Sequence, residues 1–162
     1  MYYSEFYQEK LNELFDFLKH TADPEEISQI ETQIWELWSE GGHLRLNELM
    51  EEGCQALEAE QYDEAIIVFS QMIALFPDYA EGWNKRATAY FLRGNYKASL
   101  DDIAETLRLE PRHFGAISGM ATIFLMIQDL KGAIKAYRLL QKIYPQRHDI
   151  DQQIEHLRKK LR

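Results

Sequence analysis

Three prolines stand thirty-four residues apart: Pro77 in LFPDY, Pro111 in LEPRH and Pro145 in IYPQR. Proline lacks the amide hydrogen that a helix needs, and it disfavours helix in the residue before it. A spacing kept twice over therefore breaks the helices of this chain at a fixed period. Periods of roughly 20–50 residues mark stacked copies of one supersecondary unit.

Written in that register the chain gives three lines. Residues 46–79 read LNELMEEGCQALEAEQYDEAIIVFSQMIALFPDY. Residues 80–113 read AEGWNKRATAYFLRGNYKASLDDIAETLRLEPRH, and 114–147 read FGAISGMATIFLMIQDLKGAIKAYRLLQKIYPQR. Each line holds two stretches with apolar residues at helical spacing, such as Trp83, Ala87, Tyr90 and then Ile103, Leu107. Polar turns (AEQY, RGNY, IQDL) separate them. Small residues recur at the eighth place (Gly53, Ala87, Ala121) and the twentieth (Ala65, Ser99, Ala133), where the two helices of a unit must cross closely. Large residues recur at the fourth (Leu49, Trp83, Ile117), seventeenth (Tyr62, Tyr96, Leu130) and twenty-fourth (Phe69, Ile103, Tyr137). The eleventh carries Tyr90 and Phe124, with Ala56 a departure.

Small, aromatic and proline places agree together, and this pattern resembles the tetratricopeptide repeat (TPR). The resemblance covers about two-thirds of the chain and extends to small bacterial three-repeat proteins with a Trp-containing N-terminal helix pair. It implies an all-α fold: a right-handed α-α superhelix of three helix-turn-helix repeats (46–79, 80–113, 114–147). An N-terminal helical hairpin (1–45) and a C-terminal capping helix (148–162) would cover the ends, because a stack of hairpins needs polar-faced caps.

The rear cap has a clear stripe of Ile150, Ile154, Leu157 and Leu161, with Arg158, Lys159, Lys160 and Arg162 at the negative end of its helix. At the front, Ser4 to His20 carries Tyr7, Leu11, Leu14 and Leu18 on one face, with Phe6, Phe15 and Phe17 elsewhere. A second helix starts with Asp23 as N-cap and Pro24 at its first position. Ile27, Ile30, Ile34 and Leu37 or Trp38 line it, and Gly41-Gly42 stops it. The thirty-four-residue register run backwards puts Glu31 at the small twentieth place and His43 at the proline place, so this hairpin is no fourth repeat. It reads as a front cover, with Trp35 and Trp38 packed against Leu46 to Leu57; an exposed aromatic docking face is the alternative.

The charge is uneven. Residues 1–79 hold 18 acids and 3 bases, net −15, and residues 80–162 hold 9 and 15, net +6. Solvated helix faces explain most of this, and head-to-tail self-assembly into a homo-oligomeric scaffold is the second reading. The short basic run at the rear, in an acidic chain without interleaved aromatics, does not suggest nucleic-acid binding. No apolar run approaches the roughly 20 residues of a membrane span, so membrane insertion is not expected. The opening MYYSEFYQEK has no basic n-region, so it does not read as a secretory signal, and cytoplasm and periplasm both stay open.

Chemistry-bearing motifs are missing. There is no glycine-rich phosphate loop, no HExxH, no GxSxG and a single cysteine, Cys54. Adjacent acids such as Asp101-Asp102 and Glu51-Glu52 diverge by about 100° on a helix and make no general acid/base pair. His113 and His148 follow the repeat prolines and read as solvated turn residues rather than metal ligands. Acids near Cys54 raise a thiol pKa, which argues against a nucleophile. No catalytic residue, metal or cofactor is expected, and the chain reads as no enzyme.

The resemblance places a binding groove on the first helix of each pair. Carried over by position, it is lined by Met50, Glu51, Cys54 and Leu57, then Asn84, Lys85, Thr88 and Phe91, then Ser118, Gly119, Thr122, Leu125 and Met126. Members that hold acidic chaperone tails use Lys, Asn and Arg at places where this chain has Met50, Cys54, Lys85, Gly115 and Gly119, so that two-carboxylate clamp is absent. The expected function is a non-catalytic adaptor that holds a peptide segment or helix of a partner protein, with Met and Phe suited to an apolar side chain.

Overall fold

The structure is a computed structural model that describes residues 5–39 and 43–162. Among the described residues it is all helix: α1 (Glu5–His20), α2 (Pro24–Ser39), α3 (Leu44–Glu58), α4 (Tyr62–Leu75), α5 (Ala80–Leu92), α6 (Tyr96–Leu109), α7 (Phe114–Met126), α8 (Leu130–Ile143) and α9 (His148–Lys160). The pairs α5/α6 and α7/α8 fall inside their thirty-four-residue lines, and α3/α4 follows the first line except that α3 begins two residues before it, at Leu44. Ser4 and the Gly41-Gly42 stop lie outside the described residues.

Each proline sits in the turn after the second helix of a pair, two residues beyond its end. The turn inside each pair follows a shared rule. Glu60, Gly94 and Gln128 occupy the same place in the three lines, and all have positive φ (57°, 85° and 60°). Around Glu60, its own amide donates to Leu57 O (3.0 Å) and that of Gln61 to Ala56 O (2.8 Å). The same two bonds recur around Gly94 and Gln128. This is the left-handed helix terminus that satisfies orphan carbonyls, and it favours glycine. Only the second repeat has one there.

The chain resolves into two compact units, described separately. The first is Trp38–Ala116, in which α3, α4, α5 and α6 pack in sequence, each on the next. Its crossings are tight. Gly53 faces the Phe69 ring, and an added Cβ would lie 2.4 Å from Phe69 Cε1. The Ser99 hydroxyl donates to Ala87 O at 2.7 Å, which ties the eighth and twentieth places of the second repeat together. Ala65 and Ala87 are buried, as are Leu49, Val68, Phe69 and Met72. Small side chains here allow backbones to approach to interior packing density.

The second unit comprises residues 5–37 with Ile117–Arg162. Leu11, Leu14 and Leu18 of α1 are buried, as their spacing predicts, together with Phe15; Phe6 and Phe17 stay exposed. Asp23 caps α2 by accepting from Glu25 N at 2.9 Å. Within this unit α1 packs on α8, and the Tyr144 hydroxyl at the end of α8 donates to the Glu31 carboxylate of α2. On α9, Ile150, Ile154 and Leu157 are buried. Leu161 is not: it is the C-cap residue, past the last helical position, and stands 45% exposed.

Candidate binding site

The densest polar arrangement in the first unit lies at the start of α5. Glu81 is 1% exposed, yet it is a carboxylate. Three side chains stand around it. His113 Nε2 lies 2.8 Å from Oε2, Asn84 Nδ2 is 3.3 Å from both oxygens, and Lys85 Nζ is 3.6 Å from Oε1. Glu81, Asn84 and Lys85 meet because residues three and four apart share a helix face. A buried carboxylate is tolerated when it is paired and hydrogen-bonded on this scale.

His113 is fully buried and corrects the expectation of a solvated turn residue. Its Nδ1 lies 3.1 Å from the Ala116 amide, which can only donate. Nδ1 is therefore the acceptor, the proton sits on Nε2, and the ring donates to Glu81 as neutral imidazole. On its face lies the indole of Trp38, with ring centroids 4.2 Å apart and planes within 8°. Phe114 tilts against the same indole at 5.1 Å. The Tyr79 hydroxyl donates to the Trp38 carbonyl at 2.8 Å. The two rings against Trp38 thus lie at the boundary of the second and third lines, contacts that the expected packing on Leu46 to Leu57 did not include. His148, by contrast, is exposed as expected, although it is the first residue of α9 and not a turn residue.

The expected groove residues divide unevenly. On α3, Met50, Cys54 and Leu57 are half-buried and Glu51 is exposed. Cys54 Sγ lies 3.9 Å from Met50 Sδ. Burial pushes the Cys54 thiol up, the charge of Lys85 pulls it down, and Glu81 and Glu58 push it up again. On α5, Lys85 and Phe91 are half-buried and Thr88 is exposed, with its hydroxyl donating to Asn84 O at 3.0 Å. Asn84 is 8% exposed, and its amide nitrogen serves Glu81. On α7, in the second unit, Ser118 and Thr122 are exposed and bonded to each other, while Gly119 and Leu125 are half-buried and Met126 is exposed.

The sequence reading did not find Glu81, His113, Trp38 and Tyr79 as a cluster. One signal was available. Tyr79, His113 and Arg147 fill the same last place of each line with large polar groups, directly before the next first helix. Among the described residues no group of three or more His, Cys, Asp or Glu could hold a metal ion, and no helix is long and apolar enough to cross a membrane.

Comparison with known proteins places this geometry. A TPR repeat-containing protein of Rhizobium etli is 39% identical over 154 residues, covering 95% of this chain and 76% of that protein. The chain belongs to the tetratricopeptide repeat family. The family's sequence profile matches residues 50–111, which holds most of the first two repeats. Tetratricopeptide repeat protein 36 of Xenopus tropicalis is 35% identical over 81 residues, half of this chain and 38% of that protein. Human serine/threonine-protein phosphatase 5 is 25% identical over 118 residues, and the chain spans only 23% of its length. Among solved structures, the first TPR of Spaghetti (RPAP3) bound to an HSP90 peptide superposes with a TM-score of 0.64 at 21% identity, over 72% of this chain and 93% of that one. The Yersinia enterocolitica secretion chaperone SycD, in complex with a YopD peptide, superposes with a TM-score of 0.66 at 14% identity, over 72% and 95%. These likenesses establish the TPR fold.

Proposed function

We propose that this TPR protein is a non-catalytic interaction module that holds a segment of a partner protein against the first helices of its repeats. The observation that carries this reading is the row of half-buried apolar side chains on α3 and α5. Met50, Cys54 and Leu57 stand with Phe91 in one unit, beside the exposed Thr88 hydroxyl. Such a row, half covered and adaptable in shape, fits an apolar side chain of a peptide or helix. Ser118, Thr122 and Leu125 on α7 extend the proposed set. The SycD and RPAP3 structures, both complexes with peptides, support the same reading.

The partner's chemistry differs from that of an acidic chaperone tail. Met50, Cys54, Gly115 and Gly119 offer no cation where a two-carboxylate clamp needs them, and Lys85 lies 3.6 Å from Glu81. An apolar anchor, with a few hydrogen bonds from Thr88 and its neighbours, is the recognition element we infer. Affinity purification from the source organism with the wild-type chain and a Met50→Ser/Phe91→Ser variant tests it. The double variant should lose the captured partner while its circular dichroism stays that of the wild type. Retention of the same partner by a folded double variant would refute the reading.

A further inference from the structure

We propose that the exposed face of α8 is a docking surface for the exposed face of α3 in a second copy of this chain. Copies then join head to tail through a ladder of opposite charges. The inference goes beyond the groove reading above and does not rest on it.

The exposed face of α8 is entirely cationic. Every exposed residue of the helix is one of Lys131, Lys135, Arg138 and Lys142. They stand at i, i+4, i+7 and i+11, so all four fall on one stripe. The helix, LKGAIKAYRLLQKI, contains no acid. On α3 and α6 each cation sits within a turn of a carboxylate, as in Arg45–Glu48, Lys97–Asp101 and Arg108–Glu105. Among the described residues, none of the four cations of α8 takes part in an ion pair. Like charges one turn apart repel and destabilise a helix, and nothing in this chain offsets that repulsion.

The matching stripe is on α3. Glu48, Glu51, Glu52 and Glu58 are exposed along one face of that helix, with exposed Gln55 in the gap. At about 1.5 Å per residue, Glu48 to Glu58 spans about 15 Å and Lys131 to Lys142 about 17 Å. Laid antiparallel, Glu58 meets Lys131, Gln55 meets Lys135, Glu51 and Glu52 meet Arg138, and Glu48 meets Lys142. That direction also sets the positive end of each helix dipole beside the negative end of the other. A second copy thus complements α8 in sign, length and spacing. Nucleic acid fits less well, because the net charge of −9 repels a polyanion. A membrane fits less well too, because α8 exposes no apolar residue to enter it. The two faces differ, so the contact is heterologous and every added copy leaves one face of each kind free. Exposed ion pairs are weak singly and screened by salt, so the assembly is reversible and salt-labile.

Sedimentation velocity of the full chain over a concentration series tests this at about 0.01 M and about 1 M salt, where charges are screened over about 30 Å and about 3 Å. The average mass of the wild type should rise with concentration at low salt and fall back to the monomer at high salt. Two variants each block one face. Lys135→Glu with Arg138→Glu blocks α8, and Glu48→Gln with Glu52→Gln and Glu58→Gln blocks α3. Each should stay monomeric alone at low salt. Their equimolar mixture should form a one-to-one dimer and nothing larger, because only one competent face of each kind remains. That dimer also shows that both variants fold. A mixture that stays monomeric or grows beyond a dimer, or an α8 variant that assembles like the wild type, would overturn the proposal. So would a wild type that stays monomeric at low salt; binding of a DNA oligonucleotide or a phosphatidylserine vesicle through the same four cations would then name the occupant instead. The capture experiment above turns on Met50 and Phe91, which neither stripe contains, so the two results are read separately.

Discussion

Arg86 and Asp102 meet through two parallel hydrogen bonds, Nε to Oδ2 at 2.7 Å and Nη2 to Oδ1 at 2.8 Å. The pair joins α5 to α6, and the third arm of the guanidinium reaches back to Ser70 Oγ on α4 at 3.0 Å. Trp83 and Tyr90 lie 5.1 and 5.7 Å from the guanidinium carbon. One side chain thus links both helices of the second repeat to the second helix of the first.

That placement predicts an asymmetric response. Asp102→Ala leaves a cation with side-chain exposure of 18% facing an apolar crossing, and should cost about 3 kcal/mol. Arg86→Lys keeps the charge but loses the fork and the ring contacts, and should cost about 1–2 kcal/mol. Replacing both, Arg86→Met with Asp102→Leu, should recover most of the loss. Urea unfolding of the four proteins measures this; a double variant as unstable as Asp102→Ala would show that the pair is not the unit of stabilisation.

The left-handed turn residues give a cleaner test, because backbone conformation alone is at stake. Left-handed φ costs a non-glycine residue about 1 kcal/mol. Glu60→Gly and Gln128→Gly should each raise stability by about 0.5–1 kcal/mol, even though both remove a side chain and add unfolded-state freedom. Gly94→Ala should lower it by about 1 kcal/mol, and not by a clash, since nothing lies within 4 Å of the added Cβ. Glycine at Glu60 that destabilises would mean that the turn is held by something other than its φ.

The contrast between these residues shows what the sequence could carry. Helix ends and the Ala87–Ser99 crossing follow from spacings within one thirty-four-residue line, and the buried residues of α9 from the spacing along that helix, so they were legible. The left-handed place was legible only at Gly94, because Glu60 and Gln128 hide a backbone requirement that glycine announces. The polar cluster around Glu81 was half legible, since Glu81, Asn84 and Lys85 share one helix face by spacing. Its other half, Tyr79 with Trp38, joins residues 41 apart, and Glu31 with Tyr144 joins residues 113 apart. No periodicity within one sequence reports such pairs, so His113 looked like any turn histidine.

Cys54 reports on the charges of the groove. Its thiol is raised chiefly by burial, and Lys85 acts against that rise. A thiol held up in this way is mostly protonated at neutral pH and alkylates slowly. Iodoacetamide should label Cys54 more slowly than a free thiol at pH 7.5. Lys85→Ala should slow it further, because the lowering charge is gone while Glu81 and Glu58 remain. Faster labelling in Lys85→Ala would mean that Lys85 acts as a steric cover.

Tyr144 makes stability depend on alkaline pH. Its phenol is pushed well above its ordinary value, first by burial and then by the hydrogen bond and negative charge of Glu31. The folded state therefore holds the neutral phenol more firmly than the unfolded chain does. A group whose folded pKa is raised contributes stability that is present in full below its unfolded value, about pH 10, and is lost as pH rises beyond it. The loss approaches about 1.4 kcal/mol per pH unit while the unfolded phenol is ionised and the folded one is not. At pH 8, Tyr144→Phe should cost about 1–2 kcal/mol, because the Glu31 carboxylate loses its donor. At pH 11 the gap between wild type and Tyr144→Phe should narrow by about 1 kcal/mol, since only the wild type has this phenol to ionise. Taking the difference between the two proteins cancels the other tyrosines and the lysines. Paired urea titrations at the two pH values supply it, and a gap that stays constant or widens at pH 11 would place Tyr144 in a more solvated setting than its bond to Glu31 describes.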